Sequence, residues 1–197
     1  MALIAVPDDH VACVVTRLEM TRRPPLRPLA ASRLRLVRWR HPSAAAYRIL
    51  FARVGAPWLW YSRRAMDDAA LLALIHAETV DIHAVIDPAG VEVGLLELDF
   101  AEAGACAVAY FALVPELTGQ GHGRWLMAEA LARAWRPGVT RVWLHTCTLD
   151  HPRALGFYRA QGFEAVARTL ETFPDPRAIG LLPADAAPQV PRLASRR

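Results

Sequence analysis

The strongest constraint on this chain is the stretch Val114-Pro115-Glu116-Leu117-Thr118-Gly119-Gln120-Gly121-His122-Gly123-Arg124. An apolar run over residues 110–114 stops at Pro115, three glycines follow at alternate positions, and a helical pattern then begins. A strand, a glycine-spaced turn and a helix N-terminus in that order build an anion cradle. Missing side chains let a phosphate approach the main chain. The unpaired N–H groups of the first helical turn point at it, with the positive end of the helix dipole behind them. The competing reading is an ordinary strand-to-helix turn with glycines for tight packing. Two other phosphate motifs are excluded. Gly-x-Gly-x-Gly is not the dinucleotide fingerprint Gly-x-Gly-x-x-Gly, and no acidic residue closes a strand about 20 residues on. A Walker loop needs Gly-Lys-Ser/Thr, and the chain contains no lysine.

At about 100° per residue, His122, Glu129, Arg133 and Arg136 share the solvent stripe of the helix that follows. Met127, Ala128, Leu131, Ala134 and Trp135 fall opposite, toward a sheet. Arg124 lies on the apolar side but in the first turn, where it either curls toward a bound anion or snorkels with its stem buried. Pro137-Gly138 ends the helix. Residues 140–146 read as a strand. A second helix follows, with Pro152 in its first turn and Asp150 or His151 as its cap. On it Ala154, Leu155, Tyr158 and Gln161 share a face. It stops at Gly162, before a strand over residues 163–170.

Val114-Pro115-Glu116, the run Thr118-Gly119-x-Gly121-x-Gly123, then His151-Pro152-Arg153-Ala154 and Tyr158-x-x-x-Gly162-Phe163 together resemble the GNAT superfamily of N-acetyltransferases. The resemblance covers residues 80–171, a little under half of the chain. It implies an α/β (α+β) fold: a mixed, mostly antiparallel central sheet splayed at its middle and flanked by about four helices. It also implies acetyl-CoA as cofactor. The pyrophosphate would lie on Thr118, Gly119, Gln120, Gly121, His122, Gly123 and Arg124, and the pantetheine arm along the strand end at Leu113 and Val114. The Val114 N–H would polarise the thioester carbonyl, and Tyr158 would protonate the departing thiolate. Two positions depart from the family pattern. Thr118 stands where Gln or Arg is usual, weakening one phosphate contact that Arg124 can replace. His151 stands where the family has Asn, and an imidazole cannot offer the paired donor and acceptor of an amide.

The remaining chain reads as one continuous domain over residues 1–173, with a proline-rich tail over 174–197 that covers the surface without its own core. Residues 1–40 hold a strand (11–20) and an arginine-rich segment. Further strands are expected over 34–39, 82–86, 91–100 and 105–114, and helices over 44–54 and 67–77, the second capped by Asp67 or Asp68. The net charge is +4 and all 23 basic residues are arginine. Prolines and apolar residues interrupt the arginine-rich segment, and it lacks an aromatic stacking platform. Nucleic-acid binding is therefore not expected. Cys13, Cys106 and Cys147 form no disulfide or zinc pattern, no metal site is expected, and a reduced cytoplasmic setting fits. No segment reaches membrane-spanning length, so no membrane partner is expected. A homodimer through an edge strand remains open.

Acetyl transfer needs a neutral amine, a route for its proton and an acid for the thiolate. Glu97, acting through water, is the first choice of base and His145 the second. Each has a structural alternative, an edge carboxylate or a satisfied buried histidine. Cys147 reads as packing, since direct transfer needs no nucleophile. The acceptor pocket is expected near Trp58, Trp60, Tyr61 and Arg63. Aromatic walls with Arg63 and Arg64 favour an apolar or carboxylate-bearing amine, of a small molecule or a peptide, unless those arginines are a solvated loop tip. The alternative function is a catalytically idle acyl-CoA-binding sensor or interaction module on the same fold.

Overall fold

The computed structural model describes residues 3–25 and 32–193. Part of the arginine-rich segment, residues 26–31, therefore lies outside the described residues. Seven strands form one sheet: β1 (His10–Met20), β2 (Arg35–Arg38), β3 (Val80–Ile86), β4 (Glu92–Asp99), β5 (Ala105–Leu113), β6 (Arg141–Cys147) and β7 (Glu164–Pro174). Their order is β2-β3-β4-β5-β6-β1-β7. Every neighbouring pair is antiparallel except β5 and β6, which run parallel.

That parallel pair opens the sheet. Its register holds only for Ala105↔Arg141, Cys106↔Val142 and Ala107↔Trp143. Beyond these rungs the two strands run on without pairing. The cause lies on the other side of β5. Against β4, Glu97 opposes Tyr110 while Leu98 opposes Val108, so Ala109 is an extra residue. A bulge of this kind bends its strand and increases the local twist, and it turns the end of β5 away from β6. The splay expected from the resemblance is thus a consequence of one inserted residue.

Among the described residues five α-helices pack on the two faces: α1 (Ala44–Gly55), α2 (Ser62–Ala65), α3 (Asp68–Ile75), α4 (His122–Ala134) and α5 (Ala154–Ala160). About four were expected; the extra one is a single turn, α2, between the helices expected over 44–54 and 67–77. α4 and α5 cover one face, where Leu18, Leu96, Leu126, Met127, Leu144 and Tyr158 share a core. Of the α4 residues expected inward, Met127, Leu131, Ala134 and Trp135 are buried and Ala128 is half-buried; Trp125, Leu126 and Ala130 join them. α1 and α3 cover the other face with Tyr47, Leu50, Phe51, Leu71 and Leu95. Ser43 caps α1 through the Ala46 N–H, and Asp67 caps α3 through the Ala70 N–H. No helix among the described residues is long and apolar enough to cross a membrane.

The tail packs against the rest of the chain. It shares a core: Leu182 and Ala187 are buried with Val11, Cys13, Leu59 and Phe173. Buried Arg177 pairs with Asp175 and also donates to the carbonyls of Ala186, Ala187 and Val190. Arg64 Nε donates to Leu181 O at 2.6 Å and Gln189 Nε2 to Pro57 O at 2.6 Å. The tail therefore ties down the aromatic loop between α1 and α3, which forms one wall of the site.

Candidate active site

The divergence of β5 and β6 leaves a cavity of about 870 Å³ that runs from the glycine loop to the aromatic loop. At the loop end, Gly119 (φ 82°) and Gly121 (φ 85°) adopt left-handed conformations that a side chain would strain. Gly121 is the N-cap of α4 and makes no side-chain cap bond. Among the described residues, the main-chain N–H groups of residues 119–123 have no acceptor. They form an open set of donors at the positive end of a 13-residue helix. The Arg124 guanidinium folds back over this loop, 3.7 Å from where a Gly121 Cβ would stand, and its side chain is exposed. Opposite, Phe157 of α5 lies 3.8 Å from the Cβ position of Gly123. The N-termini of α4 and α5 thus face each other, with Arg124 and Arg153 both lining the cavity.

Midway, the edge of β5 faces the gap. Val114 N–H donates to Val93 O at 2.9 Å, and Ala112 and Tyr110 follow it in register against β4. Antiparallel alternation then turns the main-chain groups of Phe111 and Leu113 into the gap. This corrects the expectation that Val114 N–H polarises a carbonyl, because that N–H is already taken; Leu113 is the residue that faces the cavity. Tyr158 lines the same stretch, packed edge-on against Phe111 and Phe163. Among the described residues its hydroxyl makes no hydrogen bond, and burial, with Asp150 nearby, pushes its pKa above the ordinary tyrosine value.

Asp150 joins the two ends. Its carboxylate accepts from Thr146 Oγ1 (2.8 Å), the Cys147 N–H (2.9 Å) and Trp60 Nε1 (3.3 Å). It therefore does not cap α5, whose N-cap is Arg153. His151 does not cap it either. Its Nδ1 accepts from the Arg153 N–H at 3.1 Å and its ring stands edge-on to Trp58 at 5.5 Å. The far wall carries Val15, Trp58, Trp60, His145, Cys147 and Glu171. Burial, and then the Arg17 guanidinium, hold His145 below the usual imidazole pKa. Burial and Asp150 push the Cys147 thiol up, a direction that disfavours a nucleophilic thiolate.

The sequence pattern of the Acetyltransferase (GNAT) family matches residues 42–163, more than half of the chain. The chain belongs to the GNAT acetyltransferase family. No curated protein matches it in sequence. Among solved structures, a GCN5-related N-acetyltransferase from Sphaerobacter thermophilus superposes with TM-score 0.62 at 17% identity, covering 82% of this chain and 51% of that one. One from Kribbella flavida gives 0.54 at 20%, covering 85% and 60%. An aminoglycoside acetyltransferase from an uncultured soil metagenomic sample, in complex with trehalose, gives 0.55 at 18%, covering 68% and 93%. This GNAT chain thus spans between half and three-fifths of the first two relatives' length, and these likenesses are of fold.

Within this GNAT fold the expected site residues separate into two groups. Leu113, Thr118, Gly119, Gly121, Gly123, Arg124, His145, His151, Tyr158, Trp58 and Trp60 all line the cavity. Val114, Gln120, His122, Tyr61, Arg63 and Glu97 do not. Gln120 Nε2 is bonded to Glu116 O, His122 Nδ1 contacts Ser32 Oγ, and Tyr61 stacks on Phe173. Glu97 is fully buried; one oxygen accepts from Tyr47 OH (2.5 Å) and the other pairs with Arg63 Nη2 (2.6 Å). Arg63 also lies over the Tyr110 ring. The pair fastens α2 to the sheet, so the arginine expected at the acceptor is spent inward. Asp150, Arg153 and Glu171 line the cavity without having been singled out for it. Asp150 was read as a cap, and Glu171 falls one residue past the expected end of its strand.

Removing one partner of a buried ion pair strands the other charge. Glu97→Ala is therefore expected to lower unfolding stability by about 3–5 kcal/mol in urea titration. Glu102→Ala, at the half-exposed pair with Arg141, should cost less than about 1 kcal/mol.

Proposed function

We propose that this protein transfers an acetyl group from acetyl-CoA directly to the amine of a small molecule or peptide. The observation that carries the reading is the open row of main-chain donors at residues 119–123, which leads straight into the gap where Tyr158 waits. Gly123 supplies the fit test. Its backbone is not left-handed, and a Cβ there would make only ordinary contact with Phe157. Neither conformation nor protein packing asks for glycine at that position, whereas close approach of a ligand does.

In this reading Thr118, Gly119, Gly121 and Gly123 seat the diphosphate with Arg124 and Arg153 over it, and Leu113 and Phe111 pair with the pantetheine arm. Bound acetyl-CoA supplies the thioester whose C–S bond breaks as the C–N bond forms. His145, kept neutral by its surroundings, accepts the proton of the attacking ammonium directly or through water. Tyr158, kept protonated by burial, donates its proton to the leaving sulfur and is restored, directly or through water, by the second proton that the acylated nitrogen gives up. Glu97 is proposed here as the anchor of the acceptor loop, its two oxygens already engaged. Three free cysteines agree with a cytoplasmic setting.

Thiol release from acetyl-CoA in the presence of an amine panel tests transfer directly. Tyr158→Phe should lower kcat about 10²-fold, the usual size of a lost general acid, with acetyl-CoA affinity nearly unchanged. A collapse of affinity instead would make Tyr158 a binding residue. The neutral imidazole is the active form, and a lowered pKa keeps it neutral to more acid pH. The acid limb of kcat/KM should accordingly have its midpoint below the ~6.5 of free imidazole, and His145→Gln should abolish it. A limb that survives the substitution unmoved would assign the base elsewhere.

A further inference from the structure

We infer that the acceptor is a monoamine on an apolar or aromatic body, with no carboxylate near the reacting nitrogen, and that Glu171 holds its ammonium. The inference rests on the acetyl-transfer reading above and specifies its substrate. It comes from how charge is distributed along the cavity.

The arginines of the lining, Arg124 and Arg153, both sit at the facing helix N-termini. Of the carboxylates in the lining, Asp150 is bonded to Trp60 and Thr146, and Glu171 stands on β7 opposite Cys13 of β1. The chain has 23 arginines, and Glu19, Asp81, Glu102 and Glu129 are each ion-paired to at least one of them. Among the described residues neither Asp150 nor Glu171 has such a partner. Asp150 is occupied by three neutral donors, the Thr146 hydroxyl, the Cys147 amide and the Trp60 indole. Glu171, exposed to solvent at the cavity wall, has only the Cys13 thiol, at 4.0 Å. One carboxylate is thus left for one ammonium. Its position suits the task. Across β1, Cys13 opposes Glu171 and Arg17 opposes His145, with Val15 between them on the same face. An ammonium at Glu171 therefore lies on the strand face that carries the proposed base.

The cations that argued for a carboxylate-bearing amine are absent from this end, and Arg17, which does lie beside His145, is ion-paired to Glu19. Arg63 is bonded to Glu97 and Arg64 to the Leu181 carbonyl. An amino acid would bring its carboxylate beside Asp150 and Glu171, a like-charge juxtaposition that selects against it. A polyamine would bring a second ammonium to an end whose other carboxylate, Asp150, already accepts three hydrogen bonds. The aromatic walls instead suit a flat apolar body with its cation at one end.

The test uses the full chain with acetyl-CoA and three acceptors. 2-Phenylethylamine and L-phenylalanine differ only by the α-carboxylate, and spermidine is the polycation. The expected result is kcat/KM for 2-phenylethylamine about tenfold or more above either other acceptor. Glu171→Gln should lower that value about tenfold and narrow the gap to L-phenylalanine, with acetyl-CoA affinity unchanged. Equal or faster turnover of L-phenylalanine or spermidine overturns the inference. So does a ratio that Glu171→Gln leaves unmoved, or acetyl-CoA binding with no turnover of any of the three. Failure of the wild-type chain to bind acetyl-CoA would instead sink the transfer reading itself.

Discussion

The site depends on three rungs of parallel ladder between β5 and β6 and on the bulge at Ala109 that stops a fourth. Continuous pairing would bond the main chain of Phe111 and Leu113 to β6 and close the cavity. The sheet gives up those hydrogen bonds and leaves polar backbone at a strand edge, which is costly unless something pairs with it. An extended ligand arm carrying amide groups satisfies that edge as a missing strand would. The glycine loop follows because β5 must end in a turn that feeds α4. With β5 bent outward, that turn opens over the mouth of the gap.

The acceptor wall shows a second trade. Glu97 and Arg63 are both withdrawn from water, and such a pair gains stability only when its remaining hydrogen-bonding capacity is used. Tyr47 fills the second carboxylate oxygen and the Tyr110 ring faces the guanidinium, while the buried Arg63 Nε has no hydrogen-bond partner among the described residues. What the pair secures is position. It fastens α2, while Arg64 and Gln189 fasten the same loop to the tail. Trp60 is then held between Phe51, Tyr110 and Asp150. A loop of this length would otherwise move freely, and an acceptor cannot be aligned by a moving wall.

Much of the fold was legible because its signals are local. Alternating apolar residues, the cap at Asp67, and glycines before a helical pattern each act over a few residues. The phosphate-loop half of the site was legible for the same reason, since main-chain donors at a helix start belong to one contiguous stretch. The acceptor half was not. Glu97 looked like a base because alternation puts it on a strand face, yet burial by α1 and the arrival of Arg63 from 34 residues away decide its fate. The Val114 N–H was misassigned for want of register, which only the pairing with Val93 reveals. Glu171 and Asp150 meet the cavity through a sheet order that brings β7, the last strand, beside β1, and no spacing along the chain announces that.

Isothermal calorimetry of coenzyme A with the wild-type chain and with Gly123→Ala tests the account most directly. Beyond its own helix backbone and chain neighbours, a methyl at this position meets no protein atom closer than 3.8 Å, and alanine is the better helix former by up to about 1 kcal/mol, so the variant should melt no lower than wild type. The account predicts binding by the wild-type chain and at least about a tenfold weaker Kd for the variant, a loss of some 1.4 kcal/mol. Equal affinity in the two proteins, or no heat from the wild-type chain, would contradict it.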